Sequence, residues 1–241
     1  MKRFICCLMI ALTLFAGATF ASCEKNNRTG ADMFLYDWSK KYHAGAFGIV
    51  DRNDPFVELE IELYGKIRLE LFPNVAPISV ENFVTYVEEG FYDGVVFHRV
   101  IQGFMIQAGG FTEQDGQGIY KTPTHPMIQG EFSSNGVRNE LKHRKGVLSM
   151  ARSDDPNSGS SQFFICTAAS SDLDGKYAAF GRVIDEESMA VALSIEKVET
   201  HNTYLYHGSI PQSSKDVPTA FPVIKKATLV QIGKTHLEEN K

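Results

Sequence analysis

A single arginine, Arg99, interrupts the apolar run VVFHRVIQGFMIQAGG from Val95 to Gly110. Burying a guanidinium costs several kcal/mol unless it is well hydrogen-bonded. Arg99 is therefore either a structural clamp at the edge of a core or a group that faces something bound. In a strand, residues two apart share a face. That parity puts Arg99 with Phe97 and Ile101, Met105 with Gln107, and, further along, Gln162 with Phe164. One arginine, two glutamines and several large apolar side chains suit an extended peptide: amides hydrogen-bond its backbone while the apolar groups bury one of its side chains. Other candidates for chemistry read as structural. Cys166, in QFFICTA, is a small buried hydrophobe rather than a nucleophile. The seven His are scattered with no H-x-x-x-H pair, so neither a metal nor any other cofactor is expected.

The elements that must position these residues follow from periodicity. VELEIEL alternates strictly from Val57, and IRLEL repeats the alternation after Gly65, giving an antiparallel hairpin with one wet face. A helix follows, with Ser79 as N-cap, Val80, Phe83, Val84 and Val87 as its apolar stripe, and Gly90 at its end. Strands are expected at Val95–Ile101, Met105–Ala108, Gly146–Ala151, Gln162–Thr167 and Ala178–Val183, a second helix at Glu187–Val198, and a last strand in FPVIKKATLVQIG. GGF and DGQGIY read as flexible loops. Thr200 to Phe221 also reads as a loop from its Pro, Ser and Gly content. Many antiparallel strands with two good helices predict a mainly β chain, a closed barrel whose ends the helices cover.

The N-terminus carries an address. Met1-Lys2-Arg3 precedes an apolar run to Phe20 and the small residues Ala21 and Ser22, the pattern of a secretory signal over residues 1–22. FASC resembles the lipobox of bacterial lipoproteins and predicts lipid on Cys23, hence a membrane partner through that lipid. The expected placement is the cell envelope, periplasm-facing or surface-exposed, with a soluble periplasmic form as the alternative. Residues 23–54 form a tether in which Phe34, Leu35, Trp38 and Tyr42 fall at helical spacing. The compact domain spans 55–235, and 236–241 is a tail. The formal charge of −5 becomes more negative by two once Lys2 and Arg3 leave, which argues against nucleic acid as a partner. With Cys6 and Cys7 gone and Cys23 acylated, Cys166 has no partner for an intramolecular disulfide.

FHRVIQGFMIQAGGF, GVLSMAR, GSSQFFI and LDGKYAAFGRV, in that order, resemble the cyclophilin-type peptidyl-prolyl isomerases. APISVENF and PVIKKATL fall in the family's order too, and the likeness runs from Val57 to Gly233. The resemblance implies an eight-stranded antiparallel barrel capped by two helices, with a proline-binding groove outside it. By residue, it implies that Arg99 and Gln107 are catalytic. Phe104, Met105, Phe164 and Leu173 are implied as walls of a proline pocket. Ile101, Ala151 and Gln162 match further groove residues, Arg152 a position whose backbone meets substrate, and Tyr177 a position where many members have histidine. His98 matches a structural residue. Asp172 stands where many members carry an aromatic, which bears on the pocket rim and on binding of cyclosporin. The expected activity is isomerisation of X–Pro bonds in secreted or envelope proteins, by a monomer acting on proline-containing polypeptides. A binding module or holdase that uses the same groove without turnover is the rival.

Overall fold

A computed structural model describes residues 54–230; the expected signal, the expected lipid site at Cys23, the amphipathic segment near Trp38 and the C-terminal tail lie outside the described residues. Strands β1 (Phe56–Ile61) and β2 (Gly65–Leu71) form the expected hairpin, with Leu59 opposite Ile67 and both fully buried. Helix α1 (Pro77–Glu88) follows. Next come β3 (Val95–Val96), β4 (Arg99–Ile101), β5 (Met105–Ala108), β6 (Phe111–Gln114) and β7 (Gln117–Tyr120). Then β8 (Val147–Met150), β9 (Phe163–Cys166), β10 (Ala179–Val183) and α2 (Glu186–Glu196) precede β11 (Thr200–His207), β12 (Ile210–Pro218) and β13 (Val223–Val230).

These strands hydrogen-bond into one sheet in the order β12-β11-β7-β6-β3-β13-β1-β2-β10-β8-β9-β5-β4. The stretch from β3 to β4 is one strand broken at Phe97 and His98. At the break the Phe97 N–H donates to the Pro222 carbonyl at 2.9 Å, and the His98 N–H donates to Gln107 at 3.1 Å. That joint closes the sheet on itself. Counting β3 and β4 as one stave, the barrel has the eight antiparallel staves expected, and β6, β7, β11 and β12 extend outward from it. Closure removes the free edges that an open sheet would expose. Helix α1 packs on β10 and β13, α2 on β2, β4 and β5. Inside, the Phe83 ring from α1 lies 5.1 Å from Tyr92, 5.2 Å from Phe163 and 5.4 Å from Phe180. Each such ring contributes about 1.5–3 kcal/mol by leaving water.

Four expectations need correction. Phe97 is core, as are Val95 and Val100, whereas Arg99 and Ile101 face outward; the break at Phe97-His98 resets the parity, so Arg99 does not share a face with Phe97. Ser79 is not the N-cap of α1. Ala76 holds that position with no side-chain bond and Pro77 opens the helix, while the Glu131 carboxylate accepts from the N–H groups of Ile78 (3.0 Å) and Ser79 (2.7 Å) and from the Ser79 hydroxyl (2.7 Å). GGF and DGQGIY are not flexible loops: they lead into and form a tight hairpin whose turn uses left-handed Asp115 (φ 52°) and Gly116 (φ 78°). An added Cβ at Gly110 would collide with the Gln162 side chain, so that glycine allows close packing. Finally, Thr200 to Pro218 is a long hairpin, paired from Thr200 with Pro218 to His207 with Ile210, and joined in parallel to β7 at Tyr206 and Ile119.

Candidate active site

The outer face of β4, β5 and β9 brings the sequence candidates together. Arg99 is opposite Gln107, and Gln107 is opposite Phe164; two residues along, Ile101, Met105 and Cys166 are aligned the same way. Cross-strand partners project to the same side of a sheet. Charge, amide and ring thus form one row.

A cavity of about 250 Å³ opens over this row. It is lined by Arg99, Phe104, Met105, Gln107, Ala151, Arg152, Phe164, Leu173 and Tyr177, all of them singled out in the sequence. Two other candidates lie beside it. Ile101 packs against the Met105–Phe164–Cys166 cluster that forms the floor. Gln162 accepts a hydrogen bond from Gln107 Nε2 at 2.9 Å, which fixes the orientation of the Gln107 amide. Cys166 is fully buried beneath, and burial pushes its thiol up to about 12, so it stays protonated. It is a packing residue, as its surroundings in the sequence imply.

The walls are braced. The Arg152 guanidinium lies 4.6 Å from the Tyr177 ring centroid and 5.3 Å from Phe132, and its Nε donates to the Lys176 carbonyl at 3.1 Å. Tyr177 meets Phe164 edge-on at 5.8 Å. Behind Phe164 stacks the His143 ring, 6.1 Å away and 18° from parallel. His143 bridges the Asp174 carboxylate (3.1 Å from Nδ1) and the Ser149 hydroxyl (3.0 Å from Nε2). Burial, the largest effect, lowers its pKa despite Asp174, so the neutral ring donates to Asp174 and accepts from Ser149. Sequence reading missed this support, because a buried histidine held by distant polar groups leaves no periodic signal. Asp172 is exposed in a short turn, Ser171–Leu173, on the rim and outside the cavity lining.

Arg99 is half-exposed, and its charge is met from an unforeseen direction. Asp216, on β12, places a carboxylate oxygen 3.7 Å from Arg99 Nε. His98, next to Arg99, is buried. Burial, aided by the Arg99 charge, drives its pKa down to about 3, so the ring is uncharged at neutral pH. Among the described residues, no three His, Cys, Asp or Glu side chains converge in a way that could hold a metal ion.

What this arrangement belongs to is decided by comparison. The family model for cyclophilin type peptidyl-prolyl cis-trans isomerases matches residues 56–228. The chain belongs to that family. A peptidyl-prolyl cis-trans isomerase A of Dickeya dadantii is 41% identical over 172 residues, covering 69% of this chain and 80% of the relative. A peptidyl-prolyl cis-trans isomerase of Acinetobacter baylyi is 42% identical over 161 residues, 65% of this chain and 79% of the relative. Among solved structures, a cyclophilin type isomerase of Cryptosporidium parvum superposes with a TM-score of 0.56 at 28% identity, covering 73% of this chain and 98% of its own. The same protein, solved in the presence of the dipeptide Ala-Pro, gives the same agreement. The cyclophilin fold accounts for the eight staves and both helices.

Proposed function

We propose that this cyclophilin-type enzyme accelerates cis–trans rotation of X–Pro bonds in secreted or envelope polypeptides, with Arg99 as the donor that stabilises the twisted bond. The observation that carries this reading is the cavity itself: a guanidinium and an oriented amide stand beside the apolar walls of Phe104, Met105, Phe164 and Leu173, with ample room for a proline ring. Resonance in the peptide bond sets a barrier of about 18–20 kcal/mol. Rotation localises the lone pair on the prolyl nitrogen, so a donor placed there binds the twisted state better than either planar one. Arginine suits the task because it remains charged and offers a rigid fork of donors. Phe104, Met105, Phe164, Leu173 and Tyr177 immobilise the proline ring. Gln107, held by Gln162, meets the neighbouring backbone. No proton transfer or covalent step is required.

A protease-coupled assay on a proline tetrapeptide tests the reading. Arg99→Ala is expected to lower kcat/KM at least about tenfold, some 1.4 kcal/mol of transition-state stabilisation, with the far-UV spectrum unchanged. A folded variant that turns over at the wild-type rate would remove Arg99 from the chemistry. A holdase that merely grips the groove predicts no turnover in the wild type.

The location is part of the proposal and rests on the sequence alone. The basic start, the apolar run and FASC support cleavage before Cys23 and attachment by lipid. Wild-type protein should sediment with membranes and Cys23→Ser should release it or stop processing; an unlipidated, soluble wild type excludes the anchor.

A further inference from the structure

The β11–β12 hairpin stands over the outer edge of β4 and encloses, with the barrel, a second cavity of about 390 Å³. One wall includes His98 and Gln162 of the barrel with Phe111 of β6 beside them, and the other wall is hairpin: Gln212, Ser213 and Lys215 among others. Arg99 lines this trough and the proline pocket alike, so the two are contiguous at that side chain.

The hairpin is held firmly enough to be a wall. Leu205 and Val217 are buried against Val96 and Phe111, and the His207 ring stacks on Tyr120 at 4.2 Å. A bulge then aims its side chains. Lys215 and Asp216 together oppose the single residue Asn202, and Asp216 takes a left-handed backbone, φ 58°. Adjacent residues of a regular strand point to opposite faces, and a bulge cancels that alternation. So Lys215 lines the trough while its neighbour Asp216 reaches Arg99.

The charges then sort themselves. Asp216 faces the Arg99 guanidinium, His98 is neutral, and Lys215 makes no ion pair among the described residues. The other polar side chains of the walls are the amides and hydroxyls of Gln162, Gln212, Ser213 and Ser214, which take either sign of partner, and the His207 imidazole, which stacks on Tyr120. We propose that the trough is a second subsite of the same enzyme, which binds the polypeptide flanking the proline and favours an acidic side chain against Lys215. This rests on the isomerase reading above. Contacts remote from the rotating bond raise kcat/KM when they help hold the twisted state, and a tetrapeptide is too short to exploit them.

The test uses decapeptides with a central Ala-Pro, in which Glu, Gln or Lys is moved through each flanking position, and reads kcat/KM by exchange spectroscopy with the full chain. For wild type, at least one position should favour Glu over Lys by at least about threefold at low salt, and the ratio should shrink at about 0.5 M salt. Lys215→Ala should bring that ratio near one, and Lys215→Glu should invert it. Each ratio is taken within one variant, so a change in the amount of folded protein cancels. Absence of any Glu–Lys discrimination in wild type, or the same ratio in Lys215→Ala, overturns the subsite. Wild type inactive on the tetrapeptide as well would instead overturn the isomerase reading.

Discussion

The proline pocket and the hairpin trough meet at Arg99 yet are built differently. The pocket is the outside of the barrel wall: Met105 and Phe164 are 2% and 4% exposed, and their strand neighbours Ile106 and Ile165 point into the core. The trough is half barrel and half appendage, and the appended strands are mostly exposed. A pocket made of staves is held in place by the same packing that holds the fold. A wall made of a hairpin is free to change its polar residues without touching the core. The chemistry is thus fixed to the barrel, and selectivity for what surrounds the proline is left to the appended hairpin.

The largest effect that should separate the two regions is Phe164→Ala. It removes a ring from the wall and from the packing against His143, and should cost about 3–5 kcal/mol by denaturant titration, with kcat/KM falling more than about tenfold. A loss of activity with full stability would mean that pocket and core are separable after all.

Acid probes the buried imidazoles that lie beside the trough and behind the pocket. His98 binds a proton in the unfolded chain near its ordinary pKa of 6.5 but in the native state only near about 3. Above that ordinary value it does not affect stability. Below it the unfolded state takes up a proton the native state refuses, so stability falls toward about pH 3, by about 1.4 kcal/mol per pH unit from this group. His143, also depressed by burial, acts in the same direction. His98→Gln should flatten the slope between pH 6 and 4 by about one proton; an unchanged slope would assign the acid sensitivity elsewhere.

Asp172→Trp tests how far the apolar side of the site reaches. An indole beside Leu173 adds an apolar surface and an N–H donor where a carboxylate resists desolvation. Cyclosporin should bind the variant at least about tenfold more tightly than wild type in a calorimetric titration, with turnover retained. Equal affinities would show that position 172 does not shape the rim.

The smallest effect should come from Asp216→Gly. Glycine accepts the left-handed backbone without a steric penalty, which offsets the loss of an exposed ion pair, so stability should move by less than about 0.5 kcal/mol. With the Arg99 fork less restrained, kcat/KM on the tetrapeptide should fall by about twofold to threefold. If the drop persists unchanged in an Arg99→Ala background, Asp216 acts by another route, because residues acting through one another show coupled effects.

The same two regions differ in how far the sequence revealed them. Gln107 and Phe164 were legible because barrel strands alternate, and Arg99 because the motifs around it are dense. The hairpin was not: Thr200 to Pro218 buries little, so hydrophobic alternation, the main strand signal, is faint. Its one local cue, the two-residue Gly208-Ser209 turn, was outweighed by the surrounding Pro and Ser. The Asp115-Gly116 turn was an equally clear cue, hidden by the glycines around it. The parity reset at Phe97-His98 and the bulge at Lys215-Asp216 are effects of pairing across strands, set by Pro222, Gln107 and Asn202. Alternation along one strand does not show which residue its partner sets opposite a break or a bulge.

The Glu131 carboxylate at the start of α1 bears on the order in which the chain can fold. A helix of this length is marginal in water, and most of its stability comes from outside it. Here one oxygen pair, from 53 and 52 residues downstream, holds the N–H groups of Ile78 and Ser79. While the chain emerges from the ribosome, α1 therefore remains uncapped until Glu131 has followed it. Phe83, which joins the barrel's central rings, is then poorly placed to nucleate them early. Folding should wait for the middle of the chain, and a nascent fragment ending before residue 131 should show little protection of the α1 amides from exchange.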